Sequence, residues 1–130
     1  MESTETAVVN KKTCVLRYVN EMLGGKWRTL IVWRLHQYTN MRYNEIKKSL
    51  PGITNIMLTR SLQSLEENGI VNRIDFKQIP PKVEYSLTEN GKQLGPGLDM
   101  FFNWGKERII KENLEPIIPD PAKDKKIKYK

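Results

Sequence analysis

The apolar pattern of this chain changes period once near its middle, and that change limits the folds open to it. From Ile53 to Gly69, ITNIMLTRSLQSLEENG, Leu58, Leu62 and Leu65 recur at the i, i+4, i+7 interval of a helix resting one stripe on a core. From Ile70 the period falls to two. Ile70, Asn72, Ile74 and Phe76 alternate with Val71, Arg73 and Asp75, and after a loop Val83, Tyr85 and Leu87 alternate with Glu84, Ser86 and Thr88. That spacing predicts a β-hairpin following the helix directly. Its tip sets Pro80-Pro81 between Lys77 and Lys82, so the loop cannot extend the ladder and carries positive charge at its end.

The helix has its own punctuation. Thr54 can cap it by accepting a backbone N–H of the first turn, and Gly69 supplies a left-handed residue to end it. Pro51-Gly52 separates it from a brief helix expected over Asn44 to Leu50, with Ile46 and Leu50 inward and Lys47 and Lys48 outward. Two short helices across a tight turn make a helix-turn-helix unit, in which the second helix enters the groove of DNA. Upstream, Cys14 to Leu23 reads as a short helix ended by Gly24-Gly25. Lys26 to His36 reads as a broadly apolar central helix, and Met41 to Tyr43 as a very short strand. The expected fold is therefore mainly α with a small β-hairpin, a winged helix-turn-helix.

After Thr88, which can cap another helix, Gly91, Gly95, Pro96 and Gly97 weaken the helical pattern, and Pro96 is expected to kink or restart it. Leu98, Phe101, Phe102, Trp104, Ile109 and Ile110 then provide more apolar side chains than one helix of a small domain needs. Part of that excess can fold back on the chain's own core. The rest points to a homodimer, with Leu98, Phe101, Phe102 and Trp104 joined by Leu16 and Val19 of the first helix.

The helix from Ile53 has a second face of hydroxyls, amides and a guanidinium: Thr54, Asn55, Thr59, Arg60 and Gln63. Such groups reach phosphates and major-groove base edges, although on this helix alone an ordinary solvated face is the commoner explanation. Charge adds a direction. Between Asn10 and Leu50 stand nine basic residues against Glu21 and Glu45, which accounts for the chain's net charge of +7 and favours a polyanionic partner.

Other classes find little support. One His and one Cys, without CxxC, HExxH, a glycine-rich phosphate loop or a nucleophile elbow, offer no catalytic centre, metal site or cofactor. Glu66 and Glu67 are adjacent on a helix and so diverge by about 100°. His36 is expected to end its helix against free carbonyls. A lone thiol, no secretory signal and no membrane-length apolar run place the protein in the cytoplasm.

Five fragments in order carry a specific resemblance: GGKW at 24–27, RYNEI at 42–46, PGIT at 51–54, MLTRSLQSLEENGIV from Met57, and PPKVEYSLTENG from Pro80 to Gly91. Together they resemble the HxlR-type winged helix-turn-helix transcriptional regulators over Cys14 to Gly105. The resemblance implies a homodimer on double-stranded DNA, with the wing on the backbone or minor groove. The expected contacts are Arg42, Thr54, Asn55, Ile56, Thr59, Arg60, Gln63, Lys77 and Lys82. Two departures stand out. Ile56 lies amid polar neighbours, either to meet a thymine methyl or to complete the core. Cys14 is followed by Val15 where relatives commonly have Cys-Pro. In some relatives this cysteine senses oxidants or electrophiles, so Cys14 is a candidate redox sensor, with Lys11, Lys12 and Arg17 close in sequence. A buried, inert thiol is nonetheless the favoured expectation. A small-molecule or oxidant effector is left unidentified.

Around the domain at 14–113, residues 1–13 are expected to form a flexible tail and 114–130 a disordered basic one. The competing reading is a winged helix that binds only protein.

Overall fold

A computed structural model describes residues 12–115, so the remainder of both expected tails lies outside the described residues. The order is α1 (Val15–Leu23), α2 (Arg28–Gln37), β1 (Met41–Arg42), α3 (Tyr43–Ser49), α4 (Asn55–Glu67), β2 (Val71–Asp75), β3 (Val83–Leu87), α5 (Glu89–Lys92) and α6 (Gly95–Lys111).

The core forms around α2. Ile31, Val32 and Leu35 are buried on it, and Leu58, Leu62 and Leu65 of α4 join the same cluster with Met41, Ile46, Val71 and Tyr85. The apolar stripe seen in the sequence thus fixes the roll of α4 about its axis, because three leucines on one side leave the opposite side outward. Thr54 caps the helix, accepting from the Met57 amide at 3.1 Å, and Gly69 takes φ +72° just beyond its end.

The hairpin is part of a three-stranded antiparallel sheet in the order β1-β3-β2, with Met41 opposite Tyr85 and Val71 opposite Leu87. Two local expectations change. Tyr43 belongs to α3 and not to the strand, since the Arg42 amide donates to Glu45 Oε1 at 2.8 Å and starts the helix there. In β2 only Val71 is buried, while Ile74 and Phe76 are exposed. Ile74 pairs with Glu84 on the sheet face opposite the one that buries Val71, Tyr85 and Leu87, so the alternation turns Ile74 and Phe76 away from the core.

Thr88 joins wing, α4 and α5. Its amide donates to the Ile70 carbonyl at 3.0 Å, its hydroxyl donates to the Gly69 carbonyl at 2.6 Å, and that same oxygen accepts from the Gly91 amide at 2.9 Å. Gly91 is needed here because a Cβ would meet the Ile70 carbonyl oxygen.

Pro96 starts α6 rather than kinking it, in the first turn where no amide donor is required. The helix then lies back on α2. Leu98 is buried in the core, Phe102 stacks on Trp33 with ring centroids 4.9 Å apart, and Asp99 Oδ1 stands 3.1 Å from His36 Nε2. His36, expected to end its helix against free carbonyls, also reaches across to α6 through this pairing.

Gly91→Ala is expected to lower stability by about 1–3 kcal/mol, the usual cost of forcing atoms into a filled site. Gly97→Ala, with open space around its Cβ position, is expected to be neutral or to stabilise by up to about 1 kcal/mol. Thermal or urea denaturation of the two variants checks both signs; equal effects would contradict the packing described around Thr88.

Candidate nucleic-acid interface

With its leucines inward, α4 turns Asn55, Ile56, Thr59, Arg60 and Gln63 to solvent, and the capping Thr54 is exposed beside them. These are hydrogen-bonding and cationic groups suited to base edges and phosphates, apart from Ile56. Ile56 is 64% exposed, so it does not complete the core as one of its two readings required.

This face is tied to the preceding helix. The Tyr43 hydroxyl of α3 lies 3.0 Å from the Asn55 backbone carbonyl, 3.4 Å from Asn55 Oδ1 and 3.0 Å from Thr59 Oγ1. Sequence reasoning took Tyr43 as the end of a strand and missed it as part of the site. No local pattern in the sequence signals this role, because the contact joins two helices. Arg42 itself is exposed at the start of α3.

Five of the basic residues of the first half divide into two kinds. Arg28 donates to the Gly24 and Glu21 carbonyls at 3.0 and 2.8 Å and to Ser64 Oγ at 3.3 Å, binding the end of α1 to α4. Arg34 donates to the Ser49 carbonyl from two nitrogens at 3.3 and 3.1 Å, holding the end of α3. Burial lowers the Arg34 pKa, and the nearby Tyr38 acts in the opposite direction. Both guanidiniums are structural clamps. Arg42 and Lys48 remain on the outside, and half-buried Lys47 joins Lys48, Asn44, Pro51 and Gly52 in lining an open cleft beside the turn.

The wing lysines also differ from one another. Lys77 is exposed at a positive φ of 51°, its amide donating to Asp75 Oδ1 at 2.8 Å. Lys82 folds back, with Nζ 4.4 Å from the centre of the Phe76 ring and 3.7 Å from Glu84 Oε2. Lys77 is the freer cation at the tip.

A second exposed surface is apolar. Val15, Leu16, Tyr18 and Val19 project from α1, and Met100, Phe101 and Trp104 from α6, where the last three line an open groove with Gly105. Of the six residues expected to dimerise, Leu98 is inside this chain's own core and Phe102 is half-buried against Trp33. Leu98 is thereby withdrawn from any outer surface, because the first turns of α6 pack on α2. Leu16, Val19, Phe101 and Trp104 stay exposed. Cys14, expected to be buried, is a free exposed thiol at the N-terminus of α1, where the helix rests only its far end on the core.

Among the described residues, no three His, Cys, Asp or Glu side chains gather where they could hold a metal ion, and no helix is long and apolar enough to cross a membrane.

The HxlR-like helix-turn-helix family model matches residues 22–113. The chain is 41% identical over 98 residues to MalR of Fusobacterium mortiferum, a protein described as regulatory, covering 75% of this chain and 92% of that one. It is 45% identical over 89 residues to YtcD of Bacillus subtilis (strain 168), an HTH-type transcriptional regulator, covering 68% of this chain and 70% of YtcD. Among solved structures, the oxidised form of the redox regulator HypR superposes with a TM-score of 0.67 at 38% identity, covering 72% of this chain and 96% of that one. With its helix-turn-helix, wing and family match in agreement, the chain belongs to the HxlR-like helix-turn-helix family of transcriptional regulators, and not to a family of enzymes.

Proposed function

We propose that the protein is a sequence-specific regulator that binds double-stranded DNA as a homodimer, with α4 in the major groove and the wing on the backbone or minor groove. The observation that carries this reading is the solvent-facing row Thr54, Asn55, Thr59, Arg60 and Gln63 on a helix whose other side is locked into the core. Arg60 supplies the fork suited to guanine O6 and N7, and the amides suit adenine. Arg42 and Lys77 serve phosphates, which position the protein without reading sequence.

The exposed apolar side chains of α1 and α6 support the homodimer. Trp104 is 67% exposed and Leu16 76%, and large apolar side chains left in water on both helices favour a partner that covers them. Two copies joined there about a two-fold axis would set their recognition helices at half-sites roughly 34–36 Å apart, one turn of the duplex.

The exposed Cys14 thiol and the likeness to HypR support a second layer, in which oxidants or electrophiles acting at Cys14 alter DNA binding.

Sequencing the genomic fragments retained by the purified protein tests the main reading. A shared motif with two-fold symmetry is the expected result, whereas retention of nothing at low salt favours the protein-binding alternative. Arg60→Ala is expected to weaken the recovered site by about 1–3 kcal/mol and relax preference at one position. Lys77→Ala is expected to lower affinity evenly across sequences and reduce the salt slope by about 1, with a smaller effect for Lys82→Ala. Both are read from equilibrium titrations at several salt concentrations, and an Arg60→Ala protein as tight as the parent removes Arg60 from the interface. The double variant Phe101→Glu/Trp104→Glu is expected to sediment as a monomer; an unchanged sedimentation coefficient places the dimer contact elsewhere. Diamide is expected to change DNA retention by the parent protein but not by Cys14→Ser, and an equal response in both moves the sensor to another residue.

A further inference from the structure

The Tyr43 hydroxyl has one proton and lies 3.0 Å from two oxygens of α4, and the direction of both contacts can be worked out. The Asn55 backbone carbonyl can only accept, so a 3.0 Å approach between it and the Tyr43 oxygen requires the Tyr43 proton to lie between them. Without that proton, two sets of lone pairs would face each other. Once the proton is committed to the carbonyl, the 3.0 Å contact with Thr59 Oγ1 must be filled by the threonine's own proton, with the Tyr43 oxygen accepting. The outward side of Thr59 then offers lone pairs alone.

We propose that Tyr43 sets the hydrogen-bond polarity of the reading face, making Thr59 an obligate acceptor that selects a base with an exocyclic amine in the major groove, adenine or cytosine. This rests on the DNA-binding reading of α4. A free threonine hydroxyl rotates to donate or accept and so accepts any base pair; one whose proton is held from behind cannot serve guanine O6 or thymine O4. Tyr43 is a positioning residue in this scheme, touching Thr59 and not the base.

The test is a binding selection from a randomised duplex library, run in parallel with the parent protein, Tyr43→Phe and Thr59→Val, with thermal denaturation of each. Tyr43→Phe keeps the ring and removes only the hydroxyl; Thr59→Val keeps the shape and removes the acceptor. The parent is expected to show one position per half-site restricted to adenine or cytosine, and that restriction is expected to disappear in both variants. At that position, a base lacking its exocyclic amine should cost the parent about 3- to 10-fold in affinity, the worth of one hydrogen bond, and cost Tyr43→Phe nothing. A change in folding alone would weaken all sites together and leave the base preference intact, which would overturn the proposal. So would unchanged preferences in a stably folded Tyr43→Phe protein, or a parent with no adenine-or-cytosine position. If the parent enriches no duplex, the DNA-binding reading fails and takes the polarity with it; enrichment without the variant effect removes the polarity alone.

Discussion

The burial of Leu58, Leu62 and Leu65 against α2 decides everything outward of it. A helix of this length has no means of fixing its own rotation, and three buried leucines at helical spacing supply it. Each complete leucine burial is worth about 1.5–3 kcal/mol, so rolling α4 by one residue would cost more than any surface contact could return. The polar row on the opposite side is a consequence of that packing. The wing is placed by the same core, since Val71 and Tyr85 share it and Thr88 fastens the hairpin to Gly69 and Ile70 at the end of α4.

Around this unit the charged residues have unequal roles. Arg28 and Arg34 hold helix ends by donating to backbone carbonyls, work in which partial burial is tolerable because the guanidinium remains hydrogen-bonded. Arg42, Lys48 and Lys77 stay in water and give the molecule its positive exterior. The net charge alone conceals this division. A second division separates two faces of α6: Leu98 is buried in the core and Asp99 and Phe102 reach α2 through His36 and Trp33, while Met100, Phe101 and Trp104 face away.

What could be read from the sequence was whatever repeats at the period of an element. The bounds of α4 followed from Thr54 and Gly69, the hairpin from its alternation, and the family from five ordered fragments. What could not be read depends on partners distant in the chain. Leu98 and Phe101 look alike in the sequence, and only the approach of α6 to α2 separates the buried one from the exposed one. His36 had no visible reason to meet Asp99, nor Tyr43 to meet Thr59, because those pairs arise from helix crossings and not from local pattern. Ile74 and Phe76 follow the alternation yet stay exposed, since Ile74 pairs with Glu84 on the sheet face opposite the one that buries Val71, Tyr85 and Leu87. Cys14 escaped prediction for a related reason: its helix begins before it reaches anything to bury against.

The central claim is that the side of α4 opposite its leucines, together with the wing, meets duplex DNA. Backbone amide shifts recorded by NMR during titration with a cognate duplex address it residue by residue. The account predicts that the perturbed amides concentrate at 54–63 and 73–82, with 98–104 of α6 little affected. Perturbation centred on α6, with α4 and the wing silent, would contradict it.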